Sequence, residues 1–152
     1  MATLGAGFPR LMAALDKAVG MEEYIAGSNV GLEYAELVRD QAREILGTEQ
    51  PDWPALAPET VAEKARLGYP GGPLLRSGQM RDDIGVLYAE NGLYEIGIAS
   101  SAPSFLYAQV QERGSKDMRV PARSFLGRSI QMHEREIVDG LDAALLGQFR
   151  GL

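Results

Sequence analysis

One stretch constrains the fold more than any other. From Met80 to Ser100 the chain reads MRDDIGVLYAENGLYEIGIAS; Ile84, Val86 and Tyr88 alternate with less apolar residues, and so do Tyr94, Ile96 and Ile98. A period of two lines one face of a strand, and two such runs around Asn91-Gly92 make a hairpin. Its register matters, because a slip of one residue turns every side chain to the other face. A two-residue Asn91-Gly92 turn pairs Tyr88 with Glu95 and puts the two apolar sets on opposite faces. A three-residue Glu90-Asn91-Gly92 loop pairs Tyr88 with Tyr94, Val86 with Ile96 and Ile84 with Ile98. All six then share a face, so this register is expected, with Gly92 left-handed.

Around the hairpin the pattern is helical. Phe8, Leu11, Met12, Leu15 and Val19 recur at helical spacing and predict a helix over Pro9–Val19, with Pro9 in the first turn. GSNVGLEYAELVRDQAREILG predicts a longer one, capped by Ser28 or Asn29 and ended by a left-handed Gly47. Tyr34, Val38, Ala42 and Ile45 form its apolar stripe, which needs a partner surface. A proline-rich loop with the only tryptophan leads to a third helix over Pro58–Leu67, stopped by Gly68, and GYPGGP breaks regular structure. SFLYAQVQERG reads as a short helix ended by Gly114, and SKDMRVPA as an exposed loop or edge strand. The last helix is expected over Ser124–Phe149, with Leu126, Ile130, His133, Ile137, Leu141 and Leu145 as its inner stripe. Helices on either side of a small antiparallel hairpin make an α+β fold. The 152 residues are read as one domain: N-terminal helices over 1–50, a core with the hairpin over 53–129, and the C-terminal helix over 124–149.

Composition removes several function classes. There is no cysteine, which excludes disulfides, thiolate nucleophiles and cysteine-ligated zinc. A net charge of -6 makes the chain a poor grip for duplex DNA, whose binding needs concentrated lysine and arginine. No apolar run approaches the roughly 20 residues of a membrane span, so no membrane partner is expected. MATLGAGFPRLMAAL lacks a basic start before an apolar stretch and predicts no secretory signal.

Candidate chemistry is sparse. His133 is the only histidine and falls on the apolar stripe of the last helix; its neighbours Glu134 and Glu136 are expected to point elsewhere. Asp82 and Asp83 in RDDIG are read as strand residues facing opposite ways, hence no paired-carboxylate site. GYPGGP lacks the lysine and hydroxyl of a phosphate loop. No catalytic residue, metal or cofactor is expected, and no enzyme activity. Lys116, Arg119, Arg123 and Arg128 gather in an otherwise acidic chain. They read either as contacts to an acidic surface or as a solvated loop balanced by Glu112 and Asp117.

Three stretches carry a resemblance: WPALAPETVAEKARLGYPGGPLLRSGQMRDDI, then YAQVQERG, then VPARSFLGRS. In this order they resemble the virion morphogenesis proteins of tailed bacteriophages of the Mu-like kind, also called tail completion or tail terminator proteins. Trp53, Leu56, Thr60 and Lys64 match that family's Trp-x-x-Leu and Thr-x-x-x-Lys. Pro73, Leu74, Leu75, Ser77 and Gly78 match its PLL-x-SG segment, with Met80 for a leucine and Asp83 for a serine. Tyr107, Ala108 and Gly114 follow, and Pro121, Ala122, Arg123, Phe125, Leu126 and Gly127 match its PARPFLG brace. Ser124 replaces the second proline and Ala57 a capping serine; each loosens a helix start by about 1 kcal/mol or less.

The resemblance implies a structural virion protein that forms a ring, typically a hexamer, at the head-proximal end of the tail. It would be assembled in the host bacterial cytoplasm and would join tail to neck. Implied partners are further copies of the chain, the tail tube protein and neck or connector proteins, with DNA only in transit through the channel. A head–tail connector or adaptor is the neighbouring alternative; a small-molecule binder or enzyme is the alternative from another class. VPARSFLGRS is then a loop-to-helix brace in which Phe125 and Leu126 plug the core and Arg123 is left free to pair across a subunit boundary. Arg113, Lys116, Asp117, Arg119, Arg123 and Arg128 are the expected interface residues, with the hairpin and the loop from Gly114 to Arg123 making much of the contact.

Overall fold

The computed structural model describes residues 29–90 and 93–150. The helix expected over Pro9–Val19, the Ser28 cap and a left-handed Gly92 lie outside them. The described elements are α1 (Val30–Ile45), α2 (Pro58–Arg66), α3 (Gln79–Asp83), β1 (Ile84–Glu90), β2 (Leu93–Ile98), α4 (Phe105–Arg113) and α5 (Phe125–Arg150). The two strands form one antiparallel pair, so the fold is α+β as expected.

The hairpin combines both candidate registers. At its base Ile84 pairs with Ile98 and Val86 with Ile96, as the three-residue loop requires. Nearer the tip Tyr88 faces Glu95, Ala89 faces Tyr94 and Glu90 faces Leu93, as a two-residue connection requires. A β-bulge between Val86 and Tyr88 absorbs the difference. The expected pairing of Tyr88 with Tyr94 is therefore wrong. Beyond the bulge the alternation in β1 is reversed; Tyr88 stays exposed while Ile84 is fully buried. Tyr94 keeps its place on the packed face and lies over Gly31 of α1, where a Cβ would overlap its ring.

α1 buries Val38, Ala42 and Ile45 of the expected stripe, together with Gly31 and Ala35, while Tyr34 is only half-buried. Small residues at these positions let the hairpin approach the helix closely. Asn29 occupies the N-cap position but makes no side-chain cap bond, so Asn29 does not serve as the expected cap. At the other end Arg43 donates from Nε (3.1 Å) and Nη2 (2.6 Å) to the Ile84 carbonyl, tying α1 to the start of β1.

α5 runs antiparallel to α1: His133 meets Gln41, and seven residues on, Gly140 receives the ring of Tyr34, seven residues back along α1. The inner face of α5 differs from the expected stripe. Ile130 is 49% exposed, while Ser129 is fully buried and returns its hydroxyl to the Phe125 carbonyl at 2.7 Å. Phe125, Ser129, His133 and Ile137 form the inward i, i+4 row. A serine satisfied by its own helix backbone fits the crossing; an isoleucine-led stripe would rotate the helix away from it.

Arg81–Asp83, expected as strand, closes the short helix α3 instead. Gly78 precedes it with φ +89°, Ser77 Oγ accepts from Gln79 N (3.3 Å), and the Gln79 amide donates to Asp83 four residues on (2.8 Å). These local bonds favour a turn over extension. The core lies where the elements converge, among Ile45, Leu74, Met80, Ile84, Ile98 and Phe125.

Candidate functional site

The segment Val120–Ser129 lies at a joint held by three charged side chains. Lys64, on α2, is 8% exposed. Its ammonium donates to the carbonyls of Gly72 and Leu75 (2.7 Å to the latter), so a helix with otherwise exposed residues anchors the GYPGGPLL loop. That loop is also pinned to the end of α1, where Gly47 N donates to Pro73 O at 2.7 Å. Burial lowers the Lys64 pKa below the usual lysine range, and the charge of Arg76 lowers it further.

Arg123 is the second tether. It is 5% exposed and donates from Nε to Pro54 O (2.9 Å) and from Nη2 to Ala55 O (3.0 Å). Its own N–H donates to Gln111 O at 2.7 Å. The expectation that Arg123 is left free is therefore wrong. Its planar fork spans two successive carbonyls of the proline-rich loop, a geometry an arginine provides and a lysine does not. Desolvation lowers its pKa, opposed by the nearby Tyr107 hydroxyl; the guanidinium stays charged.

The third is Glu112, near the end of α4. Its carboxylate accepts from Ser124 Oγ (2.5 Å) and from the backbone N–H groups of Phe125 (2.8 Å), Leu126 (3.0 Å) and Gly127 (3.1 Å). It caps α5 from outside the helix, where the free N–H groups and the positive end of the dipole favour an anion. Gly127 makes the arrangement possible, because a Cβ there would collide with the Ser124 hydroxyl. Glu112 is thus committed to the helix end and does not balance the basic loop. Nothing local in the sequence marks it, because its partners lie 12 to 15 residues away.

The remaining sequence candidates separate. Arg113, Lys116, Asp117 and Arg119 are exposed; Arg119 pairs with Asp117 at 3.2 Å. The Ser115 hydroxyl and then the Arg119 N–H hold the Asp117 pKa below the usual carboxylate range. Arg128 is half-buried and pairs with Asp52 at 3.5 Å, so it braces the same proline-rich loop that Arg123 holds. Among the motif residues, Trp53 packs on the core with Leu126, and Phe125 is 1% exposed. Gly78 and Gly114 have positive φ. Pro121 and Tyr107 line a cleft of about 380 Å³, with Thr60 and Lys64.

No protein-family model, curated protein or solved structure matches the chain.

His133 does not stand alone. Nδ1 lies 2.9 Å from Glu136 and Nε2 3.0 Å from Gln41 of α1, so Glu136 turns toward the histidine, contrary to expectation. Residues three apart on a helix are surface neighbours, which explains the contact. One ring nitrogen bridges the α1–α5 seam and the other is taken up within α5. Among the described residues no cluster of three histidine, aspartate or glutamate side chains could hold a metal ion, and no helix is long and apolar enough to cross a membrane.

Proposed function

We propose that the chain is a structural virion protein of a tailed bacteriophage: a tail terminator or completion protein whose ring caps the head-proximal end of the tail and joins it to the neck. One observation carries the reading. The three stretches that carry the family resemblance, the first well separated in sequence from the other two, meet at a single joint. Lys64 and Arg123 tie two irregular loops to helices through backbone carbonyls, and Phe125 starts α5 in the core. A joint of this kind holds loops in fixed positions, which suits a surface that must match its neighbours. The two-stranded sheet leaves both outer edges without a strand partner among the described residues, and such edges favour pairing between copies. Net negative charge suits a channel that DNA passes without sticking.

Light scattering over a concentration series, alone and with tail tube protein, tests the reading. A discrete ring, either spontaneous or induced by the tube protein, is the expected result. A chain that stays monomeric and ignores tube and neck proteins refutes it.

A further inference from the structure

The cleft at the joint is charged against the character of the whole chain. Lys64, Arg76, Arg119 and Arg123 line it, and Glu63 is its one acidic lining residue. Arg119 is partly offset by Asp117, but the partners of Lys64 and Arg123 are backbone carbonyls, so two buried positive charges face the cleft without a carboxylate. Low-dielectric walls lined by one sign of charge focus the field outward. The rim is apolar: Leu67 and Tyr107 are exposed there. The cleft therefore offers cations and an apolar lip.

The distal hairpin has the complementary inventory. Leu93 is 65% exposed, Tyr88 is exposed beyond the bulge, and Glu90 and Glu95 stand exposed beside them. Its strand edges carry backbone N–H groups that no third strand takes up among the described residues. Its acids and exposed apolar surface are the counterparts of the cleft's cations and apolar lip. No residue belongs to both patches.

We infer that the distal hairpin of one copy docks into the Lys64–Arg123 cleft of the next, with Glu90 and Glu95 against its cations and Leu93 against Leu67 and Tyr107. This rests on the ring reading and specifies which surfaces meet. Because the two patches differ, the contact is heterologous, and repetition closes a ring when the rotation permits.

Two variants and their mixture test it. R76E/R119E breaks the cleft at its outer arginines and leaves Lys64 and Arg123 in place; E90R/E95R breaks the hairpin. Each alone is expected to remain monomeric under conditions where the wild type forms a ring, with an unchanged thermal unfolding curve. Mixed one to one, they retain one intact cleft and one intact hairpin between them. They should pair through these, and the reversed cleft of one then meets the reversed hairpin of the other with opposite charges, so the one-to-one mixture is expected to recover the assembly that neither variant forms alone. If reversal unfolds the chain, R119Q and E95Q replace it, and each should raise the concentration for half-assembly about tenfold, a loss of about 1.4 kcal/mol. A wild-type ring that both variants still form, or variants that fail to pair on mixing, overturns the docking and leaves the ring reading standing. A wild type that stays monomeric even with tube protein overturns both.

Discussion

Removing the Glu112 carboxylate should weaken the fold more than any other change to an ordinary surface-derived charge. In Glu112→Ala the N–H groups of Phe125, Leu126 and Gly127 lose their acceptor together with the Ser124 hydroxyl. A hydrogen bond to a charged group contributes about 1.5–3 kcal/mol, and an anion at a partly buried helix start up to about 2 kcal/mol. The four bonds share one carboxylate, and water can reach Gly127, which is exposed, so the terms do not add in full. Phe125 is buried and its N–H has no such substitute. The expected loss is about 3–4 kcal/mol for Glu112→Ala. For Glu112→Gln it is about 2 kcal/mol, because the amide keeps one acceptor oxygen but turns an NH2 toward donors. Urea unfolding should show a lower midpoint at constant slope. Thermal melting should fall by roughly 6–16 °C for the alanine variant at this chain length. Glu134→Ala, an exposed acid on α5, should stay within about 0.5 kcal/mol of wild type. A Glu112→Ala chain as stable as Glu134→Ala would show that α5 does not depend on this cap.

Arg123→Lys should cost about 1–3 kcal/mol of unfolding free energy despite keeping the charge, because one ammonium cannot reproduce the fork over Pro54 O and Ala55 O; an unchanged urea midpoint would count against the tether. The Ser104 hydroxyl, and then the Gln79 amide, hold the Asp83 pKa below its ordinary 3.8. A carboxyl whose pKa drops on folding stabilises the fold above the unfolded value and loses that contribution as pH falls through the folded one. Asp83→Asn should therefore flatten the stability profile below about pH 4, and an acid limb identical to wild type would refute the coupling. Gly127→Ala should be destabilising alone and markedly less so in a Ser124→Ala background, since the Ser124 hydroxyl is the atom its methyl would strike; strict additivity of the two unfolding free energies would place the clash elsewhere.

What could be read from the sequence was whatever short-range periodicity encodes. The hairpin, α1, α2, α4, α5 and the α+β class follow from apolar spacing and from glycine and proline punctuation, because those signals act within a few residues. Register is a different matter. Either loop length satisfied part of the pattern, and the bulge that reconciles them is set by packing, with Tyr94 seated over Gly31 and Ile84 in the core. The inner face of α5 likewise depends on the α1 crossing, which favours Ser129 and Gly140 over the more apolar Ile130. The basic stretch shows the limit most clearly. In sequence Arg119, Arg123 and Arg128 are three similar charges within ten residues. Tertiary structure leaves the first in solvent, spends the second on two carbonyls about 70 residues back, and pairs the third with Asp52. A side chain's charge is a local property. Whether that charge is free or committed depends on which backbone groups the fold brings within about 3 Å of it, and only the folded chain decides that.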